Sequence, residues 1–347
     1  MSDTEHQAFN NHFEDPDILE IGDHAIKRGQ TKYIDLTVAR LYDYTELSLP
    51  MCIIRAKKPG PVVFLSGAVH GDEIIGTEVI KRLLQNKKLK ILKGTLICIP
   101  IVNVFGFNSK SRYLPDRRDL NRCFPGSDKG SLSARLAAIF LEQVISKSHI
   151  GIDLHTGAVH RSNLPQIRAC LDNPLTEELA IKFDAPVIIN SKIRDGSIRE
   201  AAENHGVSIL VFEGGEALRH DEKVIRMARR GIMRCLSHLG MVKHSHSETP
   251  DKTAFIAKSS YWIRADQSGT IRNFKSLGDF VEATTKIAVV SDVFSNHVST
   301  VRAKTEGVII GENRLPLVNQ GDALFHVATF DKLDMELLPD DLPDFVD

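Results

Sequence analysis

Apolar strand-like runs alternate with amphipathic helical patterns between residues 61 and 240, and this alternation restricts the chain to an α/β architecture. Runs typical of buried strands occupy 61–66, 95–102, 149–154, 186–190 and 207–213, and helical patterns occupy 73–85, 131–146, 176–184, 197–206 and 221–240. Upstream, 33–41 and 46–56 alternate apolar and polar residues, as antiparallel strands do. The pattern predicts a mixed, mostly parallel sheet flanked by helices.

The composition of the chain changes near residue 243. The polar segment KHSHSETPDK is typical of a linker, and the helical pattern disappears after it. Short strand-like runs separated by Gly, Asp and Asn follow. We therefore expect a first domain at 21–243 and a small all-β, barrel-like domain at 250–330. Residues 1–20 are expected to be weakly ordered, and residues 331–347 to form an acidic tail.

Composition excludes several classes of protein. The chain has 347 residues, of which 42% are hydrophobic and 26% charged, as in ordinary globular proteins. A net charge of −1 argues against a nucleic-acid partner, and no apolar run is long enough to span a membrane. The polar, acidic N-terminus does not resemble a signal peptide. Five widely spaced cysteines favour reduced thiols and a cytoplasmic location, while assembly into a homo-oligomer is left open.

His70, Glu73 and His155 are the strongest candidate site residues. His70 and Glu73 follow an apolar run in GAVHGDEIIG, and His155 follows another in DLHTG. Two imidazoles and one carboxylate suit a catalytic zinc ion, which keeps a fourth position for water. A His-x-x-Glu pair alone is common and mostly without function. Its position at a strand end, where open α/β sheets bind ligands, and the second His favour one zinc ion per chain.

A second candidate segment, residues 103–126, is rich in Gly, Pro and charge and follows a strand-like run. Arg112, Asn121 and Arg122 place two guanidinium groups and a carboxamide near a strand end. Because a guanidinium matches a carboxylate in geometry and charge, the segment suggests a substrate that carries a carboxylate. The alternative is a solvated basic loop.

Glu213 is the candidate proton-transfer residue. It ends the apolar run of VFEGGE, where a carboxylate is costly to bury without a role. A carboxylate beside the reacting water could accept its proton and pass it to a leaving nitrogen. Glu216 is the fallback, although a helix-capping role suits it as well.

These motifs, taken in order, resemble the succinylglutamate desuccinylase/aspartoacylase family of the zinc carboxypeptidase-like superfamily. The resemblance rests on GAVHGDE, SRY…DLNR…FPG, DLHTG and VFEGGE and spans roughly residues 60–240. It implies the family's zinc carboxypeptidase-like fold and a C-terminal barrel-like domain that partly covers the active-site mouth.

The resemblance also implies roles for the candidate residues. It implies zinc on His70, Glu73 and His155, and Glu213 as general base and acid. It implies Arg112 as the group that polarises the scissile carbonyl, and Asn121 with Arg122 as the clamp on the substrate carboxylate. Two alternatives stay open: Arg117 or Arg118 could replace Arg112, and Asp153 could orient a ligand or simply cap its strand.

The leading hypothesis is therefore a zinc-dependent amidohydrolase that cleaves an N-acyl amino acid. The same residues would serve a metallocarboxypeptidase that removes a C-terminal residue, and a β module narrowing the entrance favours the smaller substrate. A hypothesis of another class is a non-catalytic binding protein on a hydrolase fold. The motifs do not specify the acyl group or the amino acid.

Overall fold

A computed structural model of the chain describes residues 15–87, 89–191, 193–243 and 255–330. The linker predicted after residue 243, the acidic tail and most of the N-terminal segment predicted to be weakly ordered lie outside these ranges. None of the described helices is long and apolar enough to cross a membrane.

The described residues form the following elements. The strands are β1 (Ile18–Ile21), β2 (His24–Lys27), β3 (Thr31–Arg40), β4 (Glu46–Arg55), β5 (Lys58–Gly67), β6 (Lys93–Ile99), β7 (Ile150–Gly157), β8 (Arg161–Ala169), β9 (Val187–Asn190), β10 (Ser208–Glu216), β11 (Phe255–Ala257), β12 (Ser259–Arg264), β13 (Gly269–Asn273), β14 (Phe280–Val281), β15 (Lys286–Ser291), β16 (Val298–Arg302), β17 (Gly307–Asn313), β18 (Leu317–Val318) and β19 (Ala323–Thr329). The helices are α1 (Ile75–Leu84), α2 (Val104–Ser109), α3 (Leu132–Gln143), α4 (Pro174–Phe183), α5 (Ile198–Glu203) and α6 (Glu222–His238), with 3-10 turns at Leu120–Arg122 and Ile145–Lys147.

A large mixed sheet organises the α/β fold, in agreement with the sequence pattern. Its main path runs β12-β19-β17-β8-β10-β7-β5-β6-β4-β3. Pairing is parallel at the centre, from β10 through β7 and β5 to β6, and along β8-β9-β11. The other pairs are antiparallel. Strand β8 runs antiparallel to β10 and β17, β4 to β3 and β6, and β19 to β17. The sheet is therefore mixed rather than mostly parallel.

Helices cover both faces of the sheet. Helices α1, α4 and α6 pack in one buried apolar cluster, and α3 and α5 pack in the other. The side chains of strand β5 alternate between the two clusters. Val63 and Leu65 belong to the first cluster, while Val62 and Phe64 belong to the second. Successive side chains of a strand point to opposite faces, so a strand buried on both sides is apolar throughout.

The central strands bring the candidate residues to one edge of the sheet. Strands β5, β7 and β10 are parallel neighbours, so their C-terminal ends lie side by side. His155 of β7 is the Cα partner of Glu213 of β10, and His70 follows the end of β5 by three residues. This register explains how residues more than 80 positions apart in sequence meet in one site.

The C-terminal strands divide between two sheets. Strands β12, β19 and β17 extend the large sheet, joined through the pairing of β17 with β8. Strands β16-β15-β13-β18 form a separate four-stranded sheet. The predicted barrel is not confirmed, because the described strands do not close into one, and five of them, β11, β12, β14, β17 and β19, belong to the main sheet instead.

Candidate active site

The loop after β5 and the end of β7 bring His70, Glu73 and His155 together, as the sequence predicted. All three side chains are buried, and one ligand atom from each lies within 4.8 Å of the others. Nδ1 of His70 lies 2.8 Å from Oε1 of Glu73, and Nδ1 of His155 lies 2.8 Å from Oε2 of Glu73. The two Nδ1 atoms are 3.2 Å apart. The two Nδ1 atoms and the Glu73 carboxylate therefore lie close enough together to bind one cation.

The loop that carries His70 and Glu73 is packed tightly against α2. A Cβ added at Gly71 would lie 2.0 Å from the backbone carbon of Gly106, so only glycine fits there. Glu73 is fixed further by its backbone N–H, which donates to the carbonyl of His70, and by Thr156, whose N–H donates to Oε2 of Glu73 at 3.0 Å. The carboxylate is thus held in place before any ligand binds.

Two further carboxylates, those of Asp119 and Asp153, orient the two imidazoles. Nε2 of His70 lies 3.0 Å from Oδ1 of Asp119, and Nε2 of His155 lies 2.6 Å from Oδ2 of Asp153. Asp153 also accepts a hydrogen bond from Ser66 at 2.7 Å. A histidine that binds a metal through one nitrogen typically donates the other N–H to such a carboxylate. Asp153 therefore contacts His155, as its predicted role of orienting a metal ligand requires. The two imidazoles and the carboxylate of Glu73 form a donor set that fits zinc.

The charges of this group are strongly coupled. Burial alone would raise the pKa of Glu73, but His70 and His155 hold it well below its usual value. Burial alone would lower the pKa of His155, but Asp153 and Glu73 hold it well above its usual value. The buried carboxylates therefore require positive charge beside them, which a divalent cation supplies when the imidazoles are neutral.

Arg112 reaches this cluster from the loop after α2. Its Nη1 donates to Oε1 of Glu73 at 2.9 Å, and its Nη2 donates to Oδ2 of Asp119 at 3.0 Å. Arg117 and Arg118, which the sequence left as alternatives, do not line the cavity beside the cluster. Of these three arginines, only Arg112 is placed to contact a group bound by His70, Glu73 and His155, which we call the triad.

Asn121 and Arg122 lie in the 3-10 turn Leu120–Arg122, and both side chains line the same cavity. Oδ1 of Asn121 accepts a hydrogen bond from the N–H of Ile198 at 2.9 Å, which fixes the amide against the start of α5. Nη1 of Arg122 donates to the carbonyl of Asn121 at 2.5 Å, and the residue is otherwise exposed. The pair can therefore offer donors to an anion entering from solvent.

Glu213 lies at the cavity wall, held by two residues of β8. Its Oε1 lies 3.0 Å from Nε of Arg168, and its Oε2 accepts a hydrogen bond from Asn163 at 2.9 Å. Glu216, the fallback candidate, accepts from the N–H of His160 at 3.1 Å and does not line the cavity. The geometry separates these two carboxylates, and Glu213 is the one that faces the site.

The cavity in front of the triad has a volume of about 740 Å³. Residues without a predicted role also line it, and several come from β8, from α5 and the segment before it, and from the C-terminal strands: Asn163, Arg168, Arg194, Arg199, Trp262 and His326. No short motif marks them, and the polar, proline-containing sequence of β8 is atypical of a buried strand. The C-terminal strands thus form part of the cavity wall.

Comparison with known proteins gives one family throughout. A family model described as the succinylglutamate desuccinylase/aspartoacylase catalytic domain matches residues 59–239, more than half of the chain. The chain is 26% identical to an N-alpha-acetyl-L-2,4-diaminobutyric acid deacetylase of Halomonas elongata, across 81% of this chain and 85% of that protein. It is 30% identical to a succinylglutamate desuccinylase of Pseudomonas aeruginosa, across 40% of this chain and 44% of that protein.

Solved structures show the same fold. A succinylglutamate desuccinylase/aspartoacylase from Rhodobacter sphaeroides superposes with a TM-score of 0.76 at 24% identity, over 87% of this chain and 95% of that one. The ectoine utilization protein EutE (DoeB) from Ruegeria pomeroyi superposes with a TM-score of 0.79 at 22% identity, over 91% of this chain and 100% of that one. At these identities the likeness establishes the fold alone.

Proposed function

This chain belongs to the succinylglutamate desuccinylase/aspartoacylase family, and we propose that it is a zinc-dependent hydrolase that cleaves the amide bond of an N-acyl amino acid. The observation that carries the proposal is the meeting of two imidazole Nδ1 atoms and the Glu73 carboxylate at the wall of a large cavity, beside Arg112 and Glu213. Two of the curated relatives are, by name, a deacetylase and a desuccinylase of amino acids, which supports the reaction class.

Each of the proposed residues has a different role in the reaction. His70, Glu73 and His155 would hold one zinc ion, which polarises a carbonyl and lowers the pKa of bound water to about 7 when it is present. Glu213 would accept the proton of the attacking water and pass it to the leaving nitrogen. Arg112 would donate hydrogen bonds to the oxygen that becomes negative in the transition state.

Substrate binding is assigned to the exposed side of the cavity. Asn121 and Arg122 would bind the carboxylate of the amino acid through charge-assisted hydrogen bonds.

Residues 21–243 would form the zinc hydrolase domain, and 250–330 the β domain that narrows the entrance. All five cysteines are free thiols, which supports a cytoplasmic location for the protein.

The test is a substrate panel presented to the zinc-loaded full chain. We expect hydrolysis of N-acyl amino acids and weak activity on peptides of four or more residues, because the C-terminal strands line the cavity and restrict its size. Release of the free amine would be followed by mass spectrometry. Efficient trimming of long peptides would favour a carboxypeptidase instead, and stoichiometric zinc without hydrolysis of any compound would favour a binding protein.

Alanine substitutions of the two cavity arginines should have different kinetic effects. Arg122→Ala should raise KM by about tenfold or more, because it removes a charged hydrogen bond that is present before and during the reaction. Arg112→Ala should lower kcat by about a hundredfold or more, because the charge it stabilises develops only in the transition state.

Steady-state kinetics on the best substrate of the panel would measure both effects. Arg117→Ala is the matched control, since that arginine lies in the same segment but outside the cavity. The zinc content of Arg112→Ala must also be measured, because this side chain contacts Glu73. Equal increases in KM, with kcat unchanged, would show that both arginines simply bind substrate.

A further inference from the structure

The two carboxylate oxygens of Glu213 have different surroundings. Nδ2 of Asn163 donates a hydrogen bond to Oε2 at 2.9 Å, and both side chains are half-buried. Oε1 lies 3.0 Å from Nε of Arg168, but this N–H is not aligned for a hydrogen bond and has no partner in the part of the chain that the structure describes. Oε2 is therefore fixed by an aligned hydrogen bond, whereas Oε1 keeps its lone pairs for another donor.

An extra residue in β8 brings Asn163 to the face of the sheet that carries Glu213. Gln166 is the Cα partner of Glu213, and the next pair along β10 joins Gly215 to Asn163. Strand β8 thus advances by three residues where β10 advances by two, which is a β-bulge. With regular two-residue alternation, Leu164 would take the place of Asn163 on this face. The bulge therefore puts a carboxamide, rather than an apolar side chain, beside the carboxylate.

Pro165 explains why the bulge forms at this point of β8. The strand pairs with β10 on one side and with β9 and β17 on the other, so it is not an edge strand. Proline has no backbone N–H to donate, and within a sheet it is confined to edges, strand starts and bulges. The residue that makes the sequence of β8 atypical of a buried strand is thus also the residue that favours the shift in register.

Glycines on both neighbouring strands leave room for the Asn163 side chain. The Cα partners of Asn163 are Gly215 of β10 and Gly311 of β17. A Cβ added at Gly311 would lie 3.1 Å from Oδ1 of Asn163, closer than an ordinary contact. Gly215 has a φ of +73°, in the left-handed region that favours glycine. The backbone therefore accommodates the amide at this position before any substrate binds.

Pairing is also irregular on the other side of Glu213. Strand β10 pairs with β7 through Glu213 and His155, and the next pair joins Glu216 to Gly157, so here β10 has the extra residue. Bulges next to active sites commonly change the direction of a side chain. Because the ladder is interrupted on both sides directly after Glu213, a side-chain contact is needed to hold its carboxylate in one orientation.

We propose that Asn163 is a positioning residue of the reaction, which anchors Oε2 of Glu213 and thereby leaves Oε1 to accept the proton of the attacking water. A reacting group held in one orientation spends more of its time in the productive geometry than one that rotates. Arg168 places a positive charge near Oε1 without occupying it by a hydrogen bond. The inference rests on the proposed role of Glu213, through which Asn163 would act.

Replacement of Asn163 should affect turnover rather than substrate binding. Asn163→Ala should lower kcat at least about tenfold, because a hydrogen bond to a charged group is lost, while KM and zinc content stay within about twofold of the wild-type values. Asn163→Asp keeps the size of the side chain but places a like charge beside Glu213, so kcat should fall at least as far. Asn273→Ala, at an exposed position of β13 outside the cavity, is the matched control and should keep normal kinetics.

A double variant distinguishes positioning from a general structural effect. In the Glu213→Gln protein the proton acceptor is already absent, so the further change Asn163→Ala should lower the residual rate by less than about twofold. Tenfold losses in both backgrounds would show that Asn163 acts independently of Glu213 and would overturn the proposal. A raised KM with unchanged kcat in Asn163→Ala would overturn it as well, because Asn163 would then bind substrate.

A measurement that needs no turnover tests the contact itself. Asparagine labelled with 15N in the side-chain amide gives one pair of amide signals per residue, and the pair absent from Asn163→Ala identifies Asn163. This pair should shift in the zinc-loaded Glu213→Ala protein and stay in place in Glu216→Ala. A pair that does not respond to the loss of the Glu213 carboxylate would show that the anchoring hydrogen bond is absent.

The two proposals fail in different ways. If the wild-type protein hydrolyses N-acyl amino acids and Asn163→Ala keeps its kcat, the positioning role is wrong and the deacylase assignment stands. If the wild-type protein hydrolyses no compound of the panel, the deacylase assignment is wrong, and the positioning role fails with it even where the amide signal shows the contact.

Discussion

Glu213→Gln is expected to lower kcat by at least about a hundredfold while zinc and substrate binding stay close to the wild-type values. Glutamine keeps the shape of the side chain and can still contact Asn163 and Arg168, but it cannot accept a proton from water. Glu213 lines the cavity as the sheet partner of His155, so its replacement removes the proton acceptor that we assign to the site. Steady-state kinetics and metal analysis on the same preparation would measure the effect.

Glu216→Gln is the matched control for this prediction. Glu216 lies on the same strand, accepts a hydrogen bond from His160 and does not line the cavity, so this variant should retain nearly normal turnover. A large loss in Glu216→Gln together with normal kcat in Glu213→Gln would transfer the role to Glu216.

His155→Ala is expected to remove nearly all activity together with most of the bound zinc. The substitution removes one of three ligands and leaves the buried carboxylate of Asp153 without its imidazole partner. Removal of a partner from a buried ion pair commonly costs about 3–5 kcal/mol of stability, so thermal unfolding should be recorded as well. His220→Ala, at an exposed position outside the cavity, should keep its zinc and its activity. Stoichiometric zinc and full turnover in His155→Ala would refute the ligand assignment.

The site at the strand ends could be predicted because local sequence determines it. Apolar runs that alternate with amphipathic helices imply parallel central strands, and the ends of such strands meet at one edge. A histidine near the C-terminal end of such a strand, as at His70 and His155, then lies at that edge. The glycines around His70 are also visible in the local sequence. They allow the tight loop in which Gly71 packs against Gly106.

The rest of the cavity wall depends on contacts that no local pattern reveals. Strand β8 was not predicted, because Pro165 and several polar residues make its sequence atypical of a buried strand. Arg168 and Asn163 were missed with it, although they hold Glu213. Trp262 and His326 reach the site through the pairing of the C-terminal strands with β8. The same pairing joins these strands to the main sheet, which the short strand-like runs of the sequence could not reveal.

A zinc titration of the metal-stripped protein tests the central claim most directly. Chelated wild-type protein would receive increasing amounts of zinc while the hydrolysis rate of the best N-acyl amino acid is followed, with His155→Ala treated in parallel. We predict that the wild-type rate rises linearly and saturates at one zinc ion per chain, and that the His155→Ala rate stays at baseline. Hydrolysis by the metal-free protein, or a rate that does not respond to zinc, would contradict the assignment of a zinc-dependent deacylase.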